Sequence, residues 1–150
     1  MANLGRIKPR RPPMLRSALV CSLLSLLMLT GCVSSLGISQ EDVSGSPTTY
    51  ATVVKAPNPL LMGHWRRMNP EGIEKPWMFQ YWLVKHGDKY AVFYNYDSRR
   101  KNAFKGWASF NIDGDSMTSG VDGASFFVEG GKVFMRVAGR NEPYPMEKLD

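Results

Sequence analysis

The side chains that could carry chemistry are few and scattered. His64 stands between Gly63 and Trp65, and His86 precedes Gly87-Asp88. Neither has a second ligand at metal-binding spacing, nor a nucleophile and carboxylate arranged as a triad. Both are read as structural or solvated histidines. No serine occupies a Gly-x-Ser-x-Gly turn, and no glycine-rich phosphate loop occurs. Asn111, Asp113, Asp115 and Asp122 are spaced like oxygen ligands of a calcium loop. Position 116, however, is Ser where such a loop needs Gly, and position 122 is Asp where it needs a bidentate Glu. A tight turn accounts for Asp113 and Asp115 around Gly114 equally well. The chain is therefore expected not to be an enzyme and to need no metal or cofactor.

One thiol has a sharper context. Residues 1–16 carry Arg6, Lys8, Arg10, Arg11 and Arg16 and no acid, and residues 17–29 carry no charge. A basic stretch, a short apolar stretch and then small residues form the pattern of an export signal. The apolar stretch is shorter than the roughly 20 residues that span a bilayer as a helix. It closes on Leu29-Thr30-Gly31-Cys32, which resembles the lipobox of bacterial lipoprotein signal peptides. The resemblance implies a diacylglyceryl group on the Cys32 thiol and cleavage between Gly31 and Cys32. Acylation of the new amine, with palmitate or a similar chain, would follow. Several acyl chains anchor stably where one binds only marginally. Position 33 is Val rather than Asp, which in that family implies the outer membrane, with the domain facing the periplasm. The alternative is an uncleaved, slightly short membrane anchor.

Removing residues 1–31 as a signal peptide changes the charge balance. The whole chain is +6, but five of its 19 basic residues lie in the leader and all 13 acids lie beyond it. The remainder is nearly neutral, which gives no reason to expect a nucleic-acid partner. Cys32 becomes the only cysteine, so no disulfide is expected.

Residues 32–48 comprise the lipidated cysteine and a Ser- and Gly-rich stretch, expected as a flexible tether. The alternative is that part of it docks on the domain. Residues 49–150 hold all 17 aromatic residues and are expected as a single β domain. Short β-branched and aromatic runs punctuated by Gly, Pro, Asn and Asp predict strands near 49–55, 61–68, 77–85, 89–97, 105–112, 115–119, 124–129 and 132–138. Gly87-Asp88, Asp113-Gly114 and Gly130-Gly131 are two-residue turn candidates. Asn58-Pro59 and Asn69-Pro70 mark loops. The tail 141–150, with Pro143 and Pro145, is expected not to continue a central strand. The fold class is all-β: a small antiparallel up-and-down barrel or cracked barrel of about eight short strands, because closure removes exposed edges.

Gly63-x-Trp65 resembles the Gly-x-Trp that opens lipocalin barrels. The resemblance implies that Trp65 plugs one end, with Arg136 or Arg140 packed over it. It also offers an alternative function, a carrier of a small apolar ligand. An eight-strand barrel either fills with side chains or holds one such ligand. A cavity lined by Tyr81, Leu83, Tyr90, Val92 and Tyr94 would mark the carrier.

Register arguments expose a surface. A two-residue turn at Gly130-Gly131 pairs Val128 with Val133 and Phe126 with Met135, an apolar core face. Phe127 and Phe134 then point outward. A weak repeat, residues 86–92 against 129–135, carries this register to the first hairpin. There Trp82 and Phe93 point outward, while Tyr81, Leu83, Tyr90, Val92 and Tyr94 point inward. Trp82, Phe93, Phe127 and Phe134 are the candidate partner-binding residues, forming one patch if the hairpins sit on the same side. The alternative is that the tail around Tyr144 or the strand near Tyr50 covers them, making a second small core. Arg99, Arg100, Lys101 and Lys105 form a basic cluster, expected as a solvated loop or as a contact for lipid phosphate or an acidic partner. The expected function is a membrane-anchored periplasmic binding or assembly lipoprotein with a protein partner at the envelope.

Overall fold

The computed structural model describes residues 37–68, 79–97 and 103–150. The chain separates into two compact units, Met1–Ser34 and Ser35–Asp150, and the described residues belong to the second. The leader, Cys32, the Asn69-Pro70 loop, Arg99, Arg100 and Lys101 lie outside the described residues.

Among the described residues are one short α-helix, a 3-10 turn at Pro59–Leu61 and ten strands. The helix α1 is Gln40–Ser44, and the strands are β1 Thr52–Lys55, β2 Gly63–Arg67, β3 Phe79–His86, β4 Lys89–Asp97 and β5 Ala103–Ala108. They continue as β6 Phe110–Asp113, β7 Ser116–Ser119, β8 Ser125–Glu129, β9 Lys132–Arg136 and β10 Tyr144–Lys148. They form one curled sheet in the order β1-β6-β7-β8-β9-β10-β2-β3-β4-β5, barrel-like as an all-β reading requires. Ala51, just before β1, donates to the Tyr90 carbonyl on β4 at 2.9 Å. That bond ties the first strand of the sheet back toward its far end.

Three features depart from a simple meander of eight strands. First, the expected strand 105–112 is two strands. The chain changes partners at Ser109, whose carbonyl accepts from Gly120 N–H at 2.9 Å. Before it β5 pairs with β4, and after it β6 pairs with β7 and, in parallel, with β1. Second, the tail does form an internal strand: β10 lies between β9 and β2. Pro145 is tolerated because its carbonyl accepts from Met68 N–H at 2.8 Å. Its own nitrogen faces the same side, at the end of the β10–β2 ladder, where no donor is needed. Third, the turn expected at Asp113-Gly114 lies one residue later. Asp113 pairs with Ser116, leaving Gly114 and Asp115 as the turn, with Gly114 at φ +56°.

The other two turns match the sequence reading. His86 pairs with Lys89 around Gly87-Asp88, and Glu129 pairs with Lys132 around Gly130-Gly131. Both glycines of the second turn have positive φ, as a two-residue hairpin of this twist demands.

Residues 37–48 are not a free tether. Ser39 and Asp42 form a reciprocal capping box that starts α1. Ile38 is 6% exposed, and its N–H donates to Gln80 Oε1 on β3 at 3.0 Å. The docked alternative describes this part of the stretch, so the domain begins before residue 49.

The interior is built of inward-facing residues from every strand except β1. Phe126 is fully buried, with Tyr81 at 4.8 Å edge-on, Tyr94 at 5.9 Å and Phe110 at 6.1 Å. Leu83, Val92, Ile112, Met117, Val133 and Met135 complete the same core, and Tyr90 packs half-buried at its margin. Each such side chain contributes about 1.5–3 kcal/mol of burial energy.

Candidate interaction surface

On the outer face, the expected cross-strand partners are present: Trp82 opposes Phe93, and Phe127 opposes Phe134. The first pair belongs to a longer row. His64, Trp82, Phe93 and Trp107 stand side by side on β2, β3, β4 and β5. The His64 imidazole stacks on Trp82 at 4.6 Å with 6° between planes, and Phe93 meets Trp107 edge-on at 5.2 Å.

This row is only half open. Phe93 is 7% exposed and His64 8%, while Trp82 and Trp107 are half-buried. The adjacent outer row, Gln80, Asn95 and Lys105, receives residues 37–48: Gln80 binds Ile38, and Lys105 pairs with Asp42 at 2.9 Å. Phe93 thus faces outward as the register predicts, but at this low exposure, edge-on against Trp107, it is largely covered rather than free as an anchor. The sequence reading looked to Tyr50 or Tyr144 as its cover, whereas the chain segment on this face precedes both. Ser39-x-x-Asp42 was the available signal, a capping box with Asp in the third helical position.

The second pair is more accessible. Phe127 and Phe134 are half-buried and stack at 5.9 Å with 26° between planes. Arg136 lies over Phe127 at 5.0 Å, and Pro145 stands opposite Phe134 on β10. The two aromatic pairs share the outer face but form separate patches. Strands β10 and β2 lie between them, bearing the Arg66–Glu147 ion pair. A second surface feature, missed from the sequence, is a cavity of about 380 Å³ lined by Tyr50, Ala51, Val53, Asp88, Lys89 and Tyr90. Lys89 Nζ lies over the Tyr50 ring at 5.2 Å.

The electrostatics follow from burial and partners. Burial pushes the His64 imidazole below its ordinary value. A hydrogen bond with Gln80 Oε1 at 3.2 Å and the Asp150 charge oppose this, and Arg66 adds to it. Tyr94 is pushed far up, by burial first and then by the Asp122 carboxylate, which accepts from its hydroxyl at 2.9 Å. Of the basic cluster, Lys105 alone is described, and it is already paired with Asp42.

Trp65 is 9% exposed and donates through Nε1 to the Met62 carbonyl at 3.1 Å. Arg136 is engaged with Phe127, and Arg140 donates to Tyr144 Oη at 2.8 Å. Arg67, next but one to Trp65 on β2, takes the same face of the strand. No protein-family model, curated protein or solved structure matches this chain.

Proposed function

We propose that the chain is a bacterial envelope lipoprotein, anchored through Cys32 and working without catalysis as a binding or assembly protein. The anchor rests on Leu29-Thr30-Gly31-Cys32 and the charged-then-apolar leader. Val33 favours the outer membrane, facing the periplasm. The observation that supports binding at the surface over carriage inside is the packing of Phe126 against Tyr81, Tyr94 and Phe110. These rings meet one another in the interior, where a lipocalin-like carrier would hold its ligand. Phe127 and Phe134, with half-buried Trp82 in the other row, are the aromatic side chains proposed to meet a protein partner.

Docking of residues 37–48 shortens the tether. From Cys32 to Gly37 the chain reaches at most about 18 Å when fully extended. A short tether would keep the domain close to its bilayer, and Arg99, Arg100 and Lys101, outside the described residues, are the basic side chains proposed for lipid phosphate or an acidic partner.

Metabolic labelling with palmitate tests the anchor. Wild type is expected to incorporate label and fractionate with membranes. Cys32→Ser is expected to persist as an unlabelled, unprocessed precursor. Normal maturation of that variant would end the lipoprotein reading.

A further inference from the structure

Arg67 and Arg140 converge on one tyrosine. Arg66 and Arg67 are neighbours on β2, so their side chains take opposite faces of the sheet. Arg66 pairs with Glu147. Arg67 shares its side with Trp65, and its guanidinium lies 4.0 Å from the Tyr144 ring centre and 5.7 Å from that of Phe79. The rings continue from there: Phe79 stacks on Tyr96 at 6.2 Å, and Tyr96 on Phe104 at 6.3 Å. Arg140 reaches Tyr144 by its hydroxyl, with Nη1 donating to Oη at 2.8 Å.

Among the described residues, neither guanidinium forms an ion pair with a carboxylate. Arg67 Nε is buried and has no hydrogen-bond partner among them. Burial lowers the Arg67 pKa, Tyr144 opposes the shift, and the Arg140 charge adds to it. Two cations brought together, one of them half-buried, are costly unless an anion joins them. The cation–π contacts offset part of that cost but satisfy no N–H. A guanidinium presents a planar fork of donors matched to two oxygens of one group.

We propose that Arg67, Arg140 and Tyr144 form a binding site for an oxyanion, a phosphate or carboxylate group. The site is independent of the outer aromatic pairs and of the anchor.

Thermal unfolding of the full chain in neutral detergent tests it, at constant ionic strength, with inorganic phosphate, acetate or chloride. A saturable rise in Tm with phosphate or acetate over chloride is expected, about 5 °C at ten times Kd. Arg67→Met and Arg140→Gln should each abolish that rise. A rise with acetate alone assigns a carboxylate, and one with phosphate alone a phosphate. Competition by phosphatidylglycerol in the micelle would then assign a lipid headgroup, and its lack of effect a soluble oxyanion. If Arg67→Met does not fold, Arg140→Gln, at an exposed position, carries the test through broadening of the phosphate ³¹P resonance. No rise beyond chloride overturns the proposal. Equal rises in wild type and both variants overturn it too.

Discussion

Asp42 Oδ2 lies 2.9 Å from Lys105 Nζ and 2.7 Å from the Ser39 backbone nitrogen, so one carboxylate both caps α1 and fastens it to β5. Burial pushes this carboxyl up. Hydrogen bonds from Lys105 and Ser39, with the Lys105 charge, outweigh burial and hold it below the ordinary value. A depressed carboxylate contributes stability above its unfolded pKa and loses it as pH falls through the folded one. Residues 37–48 should therefore stay docked above about pH 4 and loosen below it. Asp42→Ala is expected to cost about 1 kcal/mol of local stability, mostly through the cap. Lys105→Ala should cost only a few tenths, about 0.5 kcal/mol at most, because the pair is partly exposed. Amide hydrogen exchange across residues 37–48 measures both.

His64 gives stability a second pH dependence. Its folded-state pKa is lowered, so the imidazole stays neutral while the unfolded chain takes up a proton near pH 6.5. That contribution is complete above the unfolded pKa and declines as pH falls below it. The slope for one proton is at most about 1.4 kcal/mol per pH unit. His64→Gln should flatten the curve between pH 7 and 5 in denaturant unfolding. An unchanged slope would mean that another group titrates there.

Two buried tyrosines should respond oppositely to loss of a hydroxyl. Tyr94 Oη donates to Asp122 at 2.9 Å, and Tyr94→Phe is expected to cost about 1.5–2 kcal/mol. Tyr81 Oη is buried without a partner among the described residues. Tyr81→Phe should be neutral or slightly stabilising, because no bond is lost and a desolvated hydroxyl is removed. Equilibrium unfolding of the two variants side by side decides the point.

The outer aromatics should separate by burial. Phe93→Ala is expected to cost about 3 kcal/mol, as truncation of a packed ring does. Phe134→Ala should cost about 1 kcal/mol, the worth of a cross-strand pair. If Phe134→Ala keeps its fold and loses a captured envelope partner while Thr118→Ala, at an exposed position on β7, keeps it, the Phe127–Phe134 patch is the contact. A loss of several kcal/mol in Phe134→Ala would instead make the pair part of a core.

The hairpins were legible because their information is local. Glycines at 87, 130 and 131 permit the turns, and period-two alternation then assigns every side chain of β3, β4, β8 and β9 to a face. Trp107 and His64 were not placed beside Trp82 and Phe93. Their registers depend on the β4–β5 and β2–β3 connections, whose lengths carry no turn rule. Pro145 argued against a strand, but the sequence cannot show that its nitrogen would fall at a ladder's end.

By itself the sequence determined an all-β domain, the inward set Tyr81, Leu83, Tyr90, Val92 and Tyr94, and the two cross-strand aromatic pairs. Turn chemistry and alternation act over a few residues, so composition and spacing suffice for them. Tertiary structure decided that β10 sits between β9 and β2, that β1 pairs in parallel with β6, and that residues 37–48 lie on the outer face. These depend on which distant edge offers unpaired N–H and C=O groups, and on whether Gln80 and Lys105 face Ile38 and Asp42. Such complementarity exists only once the sheet has curled.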